Sequence, residues 1–88
     1  MSTTHDPAEA IGTVNHYFGH LSVAAITLTG PLDVGERIHI RGHTTDLVET
    51  VGSMEIDHRS VAHAEPGDDV AVNVREHVRE HDLIFREP

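Results

Sequence analysis

Two stretches of this chain alternate between apolar and polar residues with a period of two. In DDVAVNVR, Val70, Val72 and Val74 fall on one side, while Asp69, Ala71, Asn73 and Arg75 fall on the other. In ERIHIRG, Ile38 and Ile40 share one face and Arg37, His39 and Arg41 the opposite one. Successive side chains of a strand point to opposite faces, whereas a helix repeats every 3.6 residues, so both segments are predicted strands with one wet face. Val, Ile and Thr supply 24 of the 88 residues, and β-branched side chains favour pleated, half-buried surfaces. From 21 to 28 both faces are mostly apolar, the pattern of a strand covered on both sides. Residues 11–18 and 83–85 read as weaker strands.

The stretch from 47 to 56 changes parity. Val51 follows one alternation, Met54 and Ile56 the other, and Gly52-Ser53 sits at the break, where a β-bulge would reset the facing. Turn residues recur at Phe18-Gly19-His20, Gly30-Pro31, Val34-Gly35, Gly42-His43 and Pro66-Gly67-Asp68. Short strands at roughly ten-residue spacing with such turns predict a small antiparallel barrel or sandwich. REHVREHD, polar all round and too short to hold a helix alone, is expected to be a loop or a single turn. One domain over 10–88 follows, preceded by a loose tail over 1–9.

Composition closes several doors. There is no cysteine, and all six basic residues are arginine, so disulfides, thiolate metal sites, cysteine nucleophiles and Schiff-base lysines are excluded. Fifteen acids against six arginines leave a net charge of −9, which repels phosphate backbones and anionic membranes. The same acid-rich, lysine-free surface also suits a cytoplasm of very high salt, where the Debye length falls to about 3 Å; in that case the charge reports the solvent and not the partner. GC-biased codon use is a further source of arginine in place of lysine. No apolar run reaches the ~20 residues needed to cross a bilayer, and the start lacks a signal pattern. A cytoplasmic protein with no membrane partner is expected.

Two segments carry a family resemblance. PLDVGERIHIRG resembles the strand–turn–strand of the second domain of translational GTPases such as elongation factor Tu, with its V-G-[DE]-x-[IV]-x-I-x-G pattern. VGSMEIDHRSVAHAEPGDDVAVNV resembles that domain's later apolar-E-apolar stretch and its closing x-G-[DE]-x-V-x-V. The likeness runs from about residue 11 onward and is nearer still to the small stand-alone proteins called translation elongation factor-like. A related barrel also stands at the C-terminus of some collagenase-like peptidases. The resemblance implies a closed, Greek-key-like antiparallel β-barrel of about six strands. The sequence departs from the pattern in two places: Glu36 stands where aspartate is common, and Arg79-Glu80-His81-Asp82 stands where R-E-G-D is usual. If that glycine has positive φ, His81 must adopt it or the turn must differ.

The residues limit the chemistry. Nothing matches G-x-x-x-x-G-K-[ST], so GTP hydrolysis is excluded and no cofactor is implied. Three histidine pairs are spaced by four: His16 and His20, His39 and His43, His77 and His81. On a strand that spacing separates the side chains by roughly 13 Å, so surface histidines are expected and no metal site is assigned. Only His16 and His20 could meet across a hairpin. Ser53 or Ser60 with His58 and Asp57 holds the ingredients of a nucleophile system, which spatial hydrogen bonding would have to assemble.

Glu55 matches the glutamate that, in elongation factor Tu, helps hold the terminal nucleotide of aminoacyl-tRNA, although Asp57 replaces the aromatic that follows it. The opposed reading is a solvated acid on a strand's outer face. Arg37, His39 and Arg41 form the candidate basic stripe, since side chains at i, i+2 and i+4 of a strand line one face and arginine forks onto phosphate. Salt bridges to nearby acids are the competing role for them, and for Arg75 and Arg79. Two functions are therefore carried forward. The first is a non-catalytic binding module contacting tRNA or a ribonucleoprotein through Glu55, Arg37, His39 and Arg41. The alternative is a protein-interaction adaptor barrel docking on a separately encoded enzyme, peptidase-like or RNA-modifying.

Overall fold

The computed structural model describes residues 9–87. The tail expected over 1–9 lies, except for Glu9, outside the described residues. Ten strands follow: β1 (Gly12–Phe18), β2 (Val23–Leu28), β3 (Leu32–Asp33), β4 (Arg37–Arg41), β5 (Asp46–Thr50), β6 (Met54–Ile56), β7 (Arg59–Val61), β8 (His63–Ala64), β9 (Asp69–Asn73) and β10 (Leu83–Arg86). Residues 75–82 form a loop, as the polar REHVREHD predicts. No helix among the described residues is long and apolar enough to cross a membrane.

Eight strands make one antiparallel sheet in the order β5-β4-β10-β1-β2-β9-β6-β7, and β3 pairs with β8 in a small ribbon. The sheet is open: β5 and β7 are its edges. It is strongly curled, because Leu47 from β5 and Met54 from β6, near opposite ends of the order, belong to one buried cluster. The expected closed barrel of about six strands is corrected on both counts. The count rises because β3, β7 and β8 are two or three residues long, too short to show a period. The closure fails because side chains, not a ladder, span the gap. Arg75 donates from its guanidinium to the Val48 carbonyl at 2.7 Å and from its backbone N–H to Glu49 Oε1 at 3.0 Å. These bonds occupy the outer edge of β5, an edge that would otherwise present unpaired groups.

The alternation then sorts core from surface. Ile38 and Ile40 of β4, Ile26 of β2 and Val72 of β9 have no solvent exposure, and their strand neighbours face outward. The parity break near Gly52 is a crossover rather than a bulge. Residues 51–53 carry the chain from β5 at one edge to β6 near the other, so Val51 and Met54 both reach the core. A true register shift occurs in β1 between Val14 and His16. His81 does take a left-handed conformation, φ 75°, and its N–H bonds the Val14 carbonyl at 2.8 Å. Next to it Asp82 is buried and accepts the Arg79 N–H at 2.8 Å. A Cβ on Gly42 would stand 1.8 Å from Asp82 Oδ1, so only glycine lets the end of β4 pass this carboxylate.

Candidate functional site

Two outward surfaces hold the residues singled out by sequence, and the sheet order sets them apart: β4 and β6 are separated by β10, β1, β2 and β9. The structure thus does not bring Glu55 together with the arginine stripe along the sheet. On β4, Arg37, His39 and Arg41 do share the outer face. His39 is nearly enclosed, with 12% of its side chain exposed; its Nε2 is hydrogen-bonded to Asp46 and its Nδ1 lies 3.4 Å from Glu87 Oε1. Arg41 stands opposite Asp46 in the β4–β5 ladder. Of the three stripe residues, His39 is the one held by acids of the same chain.

Three further histidines are engaged locally. His16 Nδ1 lies 3.2 Å from Glu80 Oε2, and its ring meets Phe18 edge-on with centroids 4.5 Å apart. His77 packs on Tyr17, also at 4.5 Å. His63 on β8 bridges two carboxylates, with Nδ1 2.6 Å from Asp33 Oδ1 on β3 and Nε2 hydrogen-bonded to Glu65. Glu65 first, then Asp33, hold its pKa above the ordinary 6.5, because both favour the protonated ring. Among the described residues no group of three or more His, Cys, Asp or Glu is placed to hold a metal. The serine–histidine ingredients are not assembled either: Ser53 gives its hydroxyl to Asn73 Oδ1 at 2.9 Å.

The second surface lies over β2, β9 and β6. The ladder sets Ala25 opposite Ala71 and Ala71 opposite Glu55, so two methyl groups floor a trough on the outside of the sheet. At one end stand Phe18 and Leu21, 44% and 65% exposed, with Val23 between them and the floor. A depression of about 250 Å³ opens between these three residues and Glu55, His58 and Asn73. It shares Glu55, His58 and Ala71 with a second, of about 240 Å³, that reaches Asp57 and Asp69. The concavity is apolar at one end and acidic at the other.

Local geometry presents both ends. Asp57 (φ 51°) and His58 (φ 66°) are left-handed, and they form the two-residue link between β6 and β7. Such hairpins favour turns with both central residues at positive φ, because that twist matches the strands. Asn-Gly is the usual choice; a histidine there carries strain on the order of 1 kcal/mol. Ser22 (φ 54°) turns the chain beside Leu21 in the same way. The sequence does signal this surface: 21–28 is apolar on both faces. That pattern predicts cover on both sides, whereas Val23 and Ala25 face outward and are half-buried, with no second layer of this chain upon them among the described residues.

Comparison with known proteins bears on the family. No protein-family model matches the chain. A protein named as an uncharacterized protease from Methanocaldococcus jannaschii is 41% identical over 76 residues, which is 85% of this chain and 19% of that protein. The chain thus spans about a fifth of the relative's length. The crystallised C-terminal domain of a U32 peptidase from Geobacillus thermoleovorans superposes with a TM-score of 0.87 at 13% identity, covering 98% of this chain and all of that one. Its selenomethionine variant gives 0.83 at 14%, over 88% and 98% of the two chains. At such identity these matches establish the fold.

The translation-factor resemblance is corrected accordingly. The sequence relative is named as a protease, and the matching folds are the C-terminal domain of a peptidase, not the second domain of elongation factor Tu. Patterns such as V-G-[DE]-x-[IV]-x-I-x-G encode a turn and an alternating strand, features of architecture that barrels of different function share. The RNA-binding expectation falls with that resemblance, and the net charge of −9 does not support it. In sequence this chain is similar to part of a protease, and in fold to a peptidase's C-terminal domain.

Proposed function

We propose that the chain is a non-catalytic protein-interaction module that docks on a separately encoded peptidase-like enzyme. The observation that carries this reading is the 41% identity confined to 19% of the protease from Methanocaldococcus jannaschii. In that protein the matching region is a minor part of a longer chain, so most of the protein lies outside it. The fold match to a peptidase's C-terminal domain points the same way. Cysteine and lysine are absent, and the hydroxyl of Ser53 is committed to Asn73. The open apolar trough supplies the kind of surface an adaptor needs. Purification of the tagged chain from its own cells tests the proposal. A peptidase-like protein should co-purify, be identified by mass spectrometry, and re-form a stoichiometric complex from the separated components. Recovery of the chain alone, or with no peptidase-like protein, overturns the reading.

A further inference from the structure

The trough over β2 and β9 departs from the polar outer face of β4. An antiparallel sheet with one wet face shows polar residues outward, as β4 does with Arg37, His39 and Arg41. β2 instead turns Val23 and Ala25 outward. The acidic end is equally unspent: among the described residues, neither Glu55 nor Asp57 has a hydrogen-bond or ion-pair partner within the chain. These are two complementary demands on one occupant, an apolar side chain at one end and a cation at the other. A second copy of this chain meets them poorly. It carries fifteen acids against six arginines, and a symmetric contact would bring the same acidic wall close to itself.

Resting on the docking role proposed above, we propose that the trough receives an extended segment of the peptidase-like partner. A large apolar side chain of that segment packs against Phe18 and Leu21, and an arginine or lysine about three residues further on faces Glu55 and Asp57. The spacing follows from the sheet. Leu21 leads into β2, and β6 lies two strands from β2, at least about 10 Å at the usual inter-strand distance, which an extended chain covers in about three residues. The alanine pair lets the segment's backbone approach closely, and Asp69, whose Oδ1 accepts the Thr27 hydroxyl at 2.8 Å, closes the far side.

The test measures the co-purified complex with Leu21→Asp, Glu55→Gln and Glu55→Arg, using Glu76→Arg as a charge-matched control in the exposed loop. Leu21→Asp and Glu55→Arg should each weaken the complex tenfold or more. Glu55→Gln should weaken it less and flatten its salt dependence, and Glu76→Arg should leave it within twofold. A complex that forms but ignores all the trough variants overturns the proposed segment and leaves the docking role standing. If no complex forms, the docking role fails, and a second arm decides the trough by itself. In that arm a peptide, Gly-Ser-Phe-Gly-Ser-Arg-Gly-Ser, is titrated into the labelled chain and followed by NMR. Shifts confined to Ala25, Glu55, Ala71 and their neighbours, lost when glutamate replaces the peptide's arginine, support the assignment; no shifts at the trough overturn it. Sedimentation showing a dimer abolished by Leu21→Asp overturns it in favour of a second copy.

Discussion

The outer faces over β4 and over β2–β9 descend from the same two-residue rhythm and end in opposite conditions. On β4 the outward His39 lies between Asp46 and Glu87, so that ring is engaged inside the molecule. Over β2 and β9 the outward Val23, Ala25 and Ala71 are small and apolar, and the nearby acids Glu55 and Asp57 stay exposed. One face engages its histidine within the molecule; the other is the face that the proposed docking role assigns to a partner. Polar residues that sequence reading marks as functional can thus serve the fold, while a plain apolar strand marks the surface that is open.

Three comparisons of variants would break or sharpen this contrast. The largest effect is expected at the end of β4. Gly42→Ala would force its Cβ onto the buried Asp82 carboxylate and should cost about 2–3 kcal/mol through overpacking and a disturbed hydrogen bond. Gly52→Ala, with nothing within 4 Å of its added Cβ, should stay within about 0.5 kcal/mol. Urea denaturation of both variants checks this, and equal costs would contradict the close approach. Next, His39→Ala should lose about 1–2 kcal/mol by leaving Asp46 and Glu87 without their shared partner. Val23→Thr on the other face should change stability by less than about 0.5 kcal/mol. The reverse ranking would mean that the fold depends on the trough and not on the β4 face.

The smallest effect belongs to His63, which is exposed. Its folded pKa is raised above the unfolded one, so its contribution is fully present below about pH 6.5 and is lost as pH rises through the folded value. Wild-type stability should therefore fall over that window by more than that of His63→Gln, as measured by denaturation at a series of pH values. Identical pH profiles would show that the bridge between β3 and β8 is not felt in solution.

How much could be read beforehand differs between these regions. The facing of Ile38, Ile40, Val70 and Val72 was legible, because alternation is a local property of the chain. The positive φ of His81 was one of two outcomes left open where Arg79-Glu80-His81-Asp82 departs from R-E-G-D. The partners of His39 were not legible: Asp46 and Glu87 arrive from other strands and are brought near only by the sheet order. The break at Gly52-Ser53 was visible as a change of parity, but periodicity carries no information about which edge the chain goes to next, so a bulge and a crossover look alike. Strands of two or three residues such as β3 and β8 leave no rhythm at all. In the trough, the apolar outer face of β2 was legible as a pattern; that it lies open depends on the absence of a second layer, which no local pattern encodes.

The place of β10 has a consequence for biosynthesis. It lies between β4 and β1 and joins the block β4–β5 to the block from β1 to β7, yet it is the final described strand to be translated. A nascent chain emerging from the ribosome can pair β4 with β5 and β1 with β2 early, as separate hairpins. It cannot unite them until residues 83–86 are free of the exit tunnel. The whole sheet therefore waits for this strand, and a partner recruited before it emerges would meet a sheet without its β4–β10–β1 join.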